Sequence, residues 1–173
     1  LKLIDLIPQE THGGSMRYVL TRNSNSRKVS NRVKSILIKE KRRNLHNLKS
    51  CKNFKKNCLL SKKKLRNKLI KLKKQNKKIY GYAATSKSTT ILNYCNIGPE
   101  IIECMTDTTK EKIGRYSPGM HIPIISHKNF LKQKPEIAVL FAWNHKDEIL
   151  KKEKKFKKID GKWLTFFPKV KLL

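Results

Sequence analysis

At 173 residues the chain can hold one full domain and part of another, and a hydrophobic content of 38% is below average but enough for a core. The net charge of +30 attracts polyanions, yet lysine is scattered along the chain and arginine, the residue suited to bidentate base reading, is scarce. Nucleic-acid binding is therefore set aside as the main function, and the basic excess is read largely as a compositional bias on solvated faces.

No apolar run approaches a membrane span and no signal peptide is visible. The four cysteines (Cys51, Cys58, Cys95 and Cys104) form no CxxC, and no Cys/His set has zinc-ligand spacing. Cys95 and Cys104 lie in apolar surroundings and read as reduced thiols, which suits a cytoplasmic protein. The chain opens on Leu1 rather than Met and enters a strand-like run at once, so it is expected to be the C-terminal part of something longer.

Residues 1–6 and 16–20 read as strands around the turn residues Gly13 and Gly14, an antiparallel hairpin too small to stand alone. Residues 21–31 are polar and read as a linker, and a helix is expected to begin at 33–38. Residues 51–78 are strongly basic but carry an apolar stripe of Cys51, Phe54, Cys58, Leu65, Leu69 and Leu72, one face of a helix. Such a helix fits a membrane surface or nucleic acid, or it packs its stripe on the next domain and turns its lysines to water; the second reading is preferred.

The chain is organised around residues 79–107. Residues 79–84 are rich in β-branched and aromatic residues, as a buried strand should be. A small polar loop, 85–88, leads into a helix with Ile91, Leu92, Tyr94 and Cys95 at helical spacing, stopped at 96–99 by the Gly98-Pro99 pair. Residues 101–105 form a second strand. The result is a right-handed parallel βαβ unit with its loop at the carboxyl end of the first strand, where open α/β sheets bind ligands. A long loop, 108–119, follows, then a short extended segment at 121–124 and a short helix at 126–134. Residues 136–142 form a continuous apolar run, expected as a central parallel strand. Residues 145–158 read as one helix, and 162–167 as the last strand. The fold class is α/β, a small Rossmann-like parallel sheet preceded by a basic linker helix and a terminal hairpin.

Several side chains bear chemistry. The small-residue loop before Lys87 lets backbone N–H groups approach a phosphate at a helix N-terminus, with Lys87 as counter-charge, although any strand-to-helix turn has this composition. Asp107 ends the second strand where an acid can grip ribose hydroxyls; equally it is a turn or cap aspartate. Trp143 and Asn144 end the 136–142 strand, able to stack on a ring and to bond a sugar or phosphate, or to pack under a loop and cap a helix. Lys87, Asp107 and Asn144 all come from carboxyl ends of strands, and that convergence strengthens the reading of a site. His12 precedes Gly13 and Gly14 at a turn, where a histidine is able to act as a base near neutral pH, although a turn histidine without a role is the ordinary reading and no Ser/His/Asp order accompanies it.

Taken together, Thr11-His12-Gly13-Gly14-Ser15-Met16-Arg17, Gly81-Tyr82-Ala83-Ala84 with Lys87, Leu92-Asn93-Tyr94, Thr106-Asp107, Gly114-Arg115-Tyr116 with Pro118-Gly119, Ile122-Pro123-Ile124 and Trp143-Asn144 with Glu148-Ile149 resemble the sugar C-methyltransferase family. The resemblance covers nearly the whole chain except the lysine-rich helix. It implies enzymes that use S-adenosylmethionine to methylate a carbon of nucleotide-linked deoxy-keto sugars. It also implies an N-terminal zinc-binding piece, a central cofactor-binding domain and a Rossmann-like C-terminal domain.

By that resemblance, 1–22 are the last strands of the central domain, 23–78 a basic linker and amphipathic helix, and 79–173 the substrate-binding C-terminal domain. The zinc cysteines and the glycine-rich cofactor motif do not occur here, so this chain alone is expected neither to bind S-adenosylmethionine nor to turn over. The resemblance implies His12 as the general base, and Lys87, Asn93, Asp107, Arg115, Trp143 and Asn144 as nucleotide-sugar contacts, with no metal ligands. The family more often has an extra glycine in the loop that here reads Gly81-Tyr82-Ala83-Ala84, and a tyrosine where Gln9 stands. A non-catalytic nucleotide- or polyanion-binding module using the lysine face is the alternative. Steep loss of affinity with salt distinguishes it.

Overall fold

A computed structural model describes residues 1–173. The chain divides into two compact units, Leu1–Asn57 and Cys58–Leu173.

In the first unit, β1 (Lys2–Gln9) and β2 (Ser15–Thr21) pair antiparallel, with a register shift between Leu3 and Asp5. Their connection is a short 3-10 turn, Thr11–Gly13, in which His12 takes a φ of 57° and Gly14 a φ of 121°. The hairpin read from the Gly-Gly pair is present, with strands longer than their apolar alternation suggests. Helix α1 (Asn31–Arg42) is capped by Ser30, whose hydroxyl accepts from the Val33 N–H. Ser30 also donates its own N–H to the Ile4 carbonyl at 2.8 Å, which ties the cap to β1. Asp5 collects the rest: Ser30 Oγ donates to it at 2.6 Å, Arg32 Nε at 3.0 Å, and the Arg32 Nη2 closes the ion pair. Ile4, Leu6 and Val33 are the buried apolar residues here, a very small core.

Helix α2 (Leu48–Lys74) is the basic helix expected from the sequence, and the stripe read along it divides in two. Leu65, Leu69 and Leu72 are buried in the second unit's core, whereas Phe54 is 71% exposed and Cys51 is exposed. Helical spacing identifies a face; only a neighbouring surface buries it.

The second unit is a six-stranded sheet in the order β5-β4-β3-β6-β7-β8. Its strands are β3 (Ile79–Tyr82), β4 (Cys104–Asp107), β5 (Ile124–Ser126), β6 (Ile137–Leu140), β7 (Lys162–Thr165) and β8 (Lys171–Leu172). All pair parallel except β8, which runs antiparallel to β7. The helices are α3 (Ser86–Cys95), α4 (His127–Gln133), α5 (Lys146–Lys152) and α6 (Lys154–Lys158). β3 and β6 are buried at every position, which is why their sequences are apolar without alternation.

Successive residues of each strand face opposite layers. Ile79, Met105, Val139 and Phe141 join Leu69, Leu72 and Leu92 on one face. Tyr80, Tyr82, Ala138, Leu140, Phe130, Phe156 and Trp163 fill the other. Gly81 sits between Met105 and Phe141, where an added Cβ would lie 3.1 Å from both, so a glycine here lets the core layer close over β3.

Three local details differ from the sequence reading. The second strand of the βαβ unit begins at Cys104, because Ile101 and Ile102 are buried in a turn rather than in the strand. Helix α3 ends on Asn96 in the left-handed conformation at φ 52°, two residues before the glycine. The helix expected over 145–158 is two helices separated at Glu153, which leaves helical geometry at ψ 42° and turns its side chain into the core.

Candidate functional site

The candidate site lies in the second unit, at the carboxyl ends of β3, β4 and β6. Thr85 caps α3 by accepting from the Ser88 N–H, which brings Lys87 onto the first turn of the helix. From there the Lys87 ammonium donates to Asn144 Oδ1 at 2.6 Å and lies 4.9 Å from the centre of the Trp143 ring. The Phe167 ring packs at 4.4 Å from that of Trp143. Lys87 and the adjacent Trp143 and Asn144 form one cluster.

Asp107 is near this cluster in the fold but has its own partners. Its Oδ1 accepts from the Thr109 N–H at 2.9 Å, and Lys112 Nζ stands 3.3 Å from Oδ2 while donating to the Ala84 carbonyl at 2.8 Å. Lys112 thereby clips the β3–α3 loop to the end of β4. Burial pushes the Asp107 carboxyl up, but the Thr109 N–H and hydroxyl and the Lys112 ammonium together outweigh it and hold it below the usual carboxylate value.

Arg115 belongs to the loop after β4. It lines a cleft of about 290 Å3 together with Thr85, Ser86, Lys112 and Tyr116. Asn93, at the far end of α3, donates its amide to the carbonyls of Thr89 at 2.8 Å and Pro118 at 2.9 Å, so it clamps this loop to the helix. Gly119, at φ 80°, is the residue that lets Asn93 approach, since an added Cβ would fall on the Asn93 side chain. His12 lies in the other unit, exposed on its hairpin turn.

Two features escaped the sequence reading. Ala83, the residue leaving β3, has a φ of 72°, a region where alanine is strained. This is the loop in which the resembled family more often has an extra glycine. On the opposite face of the sheet from the α3 layer, the buried Glu153 accepts from Tyr82 Oη at 2.7 Å through Oε1 and pairs with His127 Nε2 at 2.8 Å through Oε2. Burial, then the adjacent Glu153 carboxylate, pushes the Tyr82 phenol well above its ordinary value. The only sequence hint was an acid standing alone among Lys151, Lys152, Lys154 and Lys155.

No set of three or more His, Cys, Asp or Glu side chains is grouped to hold a metal ion. The β3–α3 turn does not fit S-adenosylmethionine either. Its glycine, Gly81, faces packed core, the Ala84 carbonyl is taken by Lys112, and the Ser88 N–H is taken by the Thr85 cap. No helix is long and apolar enough to cross a membrane.

C-methyltransferase NovU of Streptomyces niveus is 25% identical to the chain over 173 residues, which is 100% of the chain and 41% of that relative. The chain thus spans about two fifths of the length of the curated relative it matches. The family described as C-methyltransferase C-terminal domain matches residues 10–168, nearly the full length, and the chain belongs to that family.

Proposed function

We propose that the chain serves a methyltransferase that moves a methyl group from S-adenosylmethionine to a carbon of a nucleotide-linked keto-sugar, with the second unit holding the nucleotide-sugar. The observation that carries this reading is the Lys87–Asn144 contact beside Trp143, which joins the ends of two strand-to-helix loops at the ligand-binding edge of a parallel sheet. In this reading Lys87 and Arg115 face phosphate oxygens, Trp143 offers a ring face, and Asn144 and Asp107 take hydroxyls.

His12 is the candidate general base. A carbon beside a ketone must lose a proton before it can act as a nucleophile, and an imidazole next to the sugar takes that proton and leaves an enolate. The hairpin of Lys2–Gln9 and Ser15–Thr21 then belongs to the methyl-transferring domain, and residues 79–173 to the substrate domain. S-adenosylmethionine, and the zinc of the resembled family, are bound by residues other than these 173. A cytoplasmic setting belongs to the same reading, supported by the four unbridged thiols, of which Cys95 and Cys104 are buried.

The second reading, a polyanion-binding module, draws on α2, whose 27 residues include no acid. Calorimetric titration with nucleoside diphosphates and nucleotide-sugars at moderate salt separates the two. Saturable, base- and sugar-selective binding that is lost in Asn144→Ala supports the nucleotide-sugar site. Equal and salt-steep binding of every polyanion overturns it in favour of the lysine face.

A further inference from the structure

The sheet edge has a second cleft that the Lys87 cluster does not use. It measures about 310 Å3 and lies on the face covered by α4 and α5. Thr106 lines it. In the parallel register Thr106 sits beside Tyr82, and Tyr82 beside Leu140, so the three share one face of the sheet. Thr106 is 2% exposed, and its Oγ1 is buried without a hydrogen-bond partner. Valine has the same shape and no polar atom, so the position tolerates a stranded hydroxyl at a cost that packing does not explain.

His127 stands at the same cleft, a third exposed, with its Nε2 held by the buried Glu153. That bond orients the ring and leaves Nδ1 outside the Glu153–Tyr82 network. Glu153 is in turn held by Tyr82, so the imidazole sits on a rigid support rather than on a surface loop. Ala83, Ala142 and Ile149 supply an apolar wall. The carboxylates of Asp107 and Glu148 line the cleft too, with Lys152 and His145 beside them, so its rim offers both acceptors and donors. One buried hydroxyl, one oriented imidazole, carboxylate acceptors and an apolar wall match a sugar ring, which has C–H faces and hydroxyl edges. The volume lies at the small end of ligand pockets, suited to one ring rather than a whole nucleotide.

We propose that this cleft binds a hydroxylated sugar ring, with the Thr106 hydroxyl as its buried anchor and the Glu153-held His127 imidazole as its second polar contact. The proposal rests on the nucleotide-sugar reading for the ring's origin, either the ribose or the hexose, and divides the ligand between two clefts: phosphates toward Lys87 and Arg115, one ring toward Thr106.

The test is an NMR titration of the isotope-labelled 173-residue chain with UDP-glucose, dTDP-glucose, uridine and methyl α-glucoside, read at the Thr106 methyl and the His127 ring. Saturable shifts at both sites are expected with at least one of these ligands. A response to uridine identifies the ribose; a response to the glucoside identifies the hexose. Thr106→Val is expected to weaken that binding about fivefold or more while its melting temperature holds or rises, since the stranded hydroxyl is gone. Thr106→Ser, which keeps the hydroxyl, is expected to retain binding at the His127 ring.

The proposal is overturned if none of the four ligands moves these resonances at millimolar concentration, or if Thr106→Val binds like the original chain. Equal loss in the Val and Ser variants also overturns it, because packing would then be the role. Nucleotide-sugar shifts confined to Lys87 and Asn144 would sink this proposal and leave the nucleotide-sugar reading standing. Shifts at Thr106 with uridine or the glucoside, but with no nucleotide-sugar, would do the reverse.

Discussion

Lys87 Nζ donates to Asn144 Oδ1 at 2.6 Å across 57 residues of sequence, and the same ammonium lies over the Trp143 ring. One cation thus fixes the positions of the two loops that leave β3 and β6. If ligand phosphate is bound there, the pair acts as a unit. Lys87→Ala and Asn144→Ala are each expected to weaken nucleotide-sugar binding about tenfold, in the range of a hydrogen bond to a charged group. The double variant should lose much less than the sum, because each single change already breaks the shared contact. Calorimetry on the three variants measures this; strict additivity would show that the two side chains act separately.

Ala83 offers a stabilising substitution. At φ 72° its Cβ crowds the following carbonyl, a strain of about 1–2 kcal/mol, partly offset in glycine by greater unfolded-chain freedom. Ala83→Gly should therefore raise stability by about 0.5–1 kcal/mol. Urea unfolding with an unchanged m-value checks it. A loss of stability would mean that the Ala83 methyl, which packs against the aromatic core of that face, outweighs the backbone strain.

Glu153 is the acid on which the α4–α6 layer depends. Removing it as Glu153→Ala leaves the Tyr82 hydroxyl and the His127 ring without their acceptor, and should cost roughly 3 kcal/mol. Tyr82→Phe removes only the donor on one side and should cost about 1 kcal/mol. Chemical denaturation of both variants, and of their combination, tests the ranking. Equal costs would show that Glu153 is held by something other than this network.

The first unit carries a pH dependence. The hydrogen bond from Arg32, helped by that from Ser30, lowers the Asp5 carboxyl to about 2 from an ordinary 3.8. A depressed folded value means that Asp5 adds stability above its unfolded value, and that this contribution is lost as pH falls from about 4 toward about 2. Carboxyl carbon NMR should show Asp5 titrating with a midpoint near 2, moving up toward 3.8 in Arg32→Gln. A midpoint near 3.8 in the unaltered chain would mean that the Arg32 pairing does not persist in solution.

The elements legible in the sequence were those whose pattern reports their own burial. Residues 137–140 are apolar throughout because the strand is covered on both faces, and the hairpin announces itself by Gly13 and Gly14. The break at Glu153 was hidden because Ile149 and Phe156 are seven apart and fit one continuous helix face equally well. β8 has two residues and no pattern to read. The same holds for the site. Lys87, Asp107, Trp143 and Asn144 were visible as polar or aromatic residues at strand ends, whereas Thr106 was visible only as part of the Thr106-Asp107 motif, with no role of its own.

Local sequence determined where the chain would be strand or helix, that the sheet would be parallel, and which edge would gather polar side chains. These follow from short-range terms: side-chain period, caps, and the need to cover apolar strands. Only the tertiary structure decided that Lys87 meets Asn144, that Asn93 clamps the loop carrying Arg115, that Cys51 and Phe54 of the α2 stripe stay in water, and that Glu153 turns inward to Tyr82 and His127. Those outcomes depend on contacts between residues about 25 to 70 positions apart, and on whether a buried polar atom finds a partner. No local pattern encodes either one.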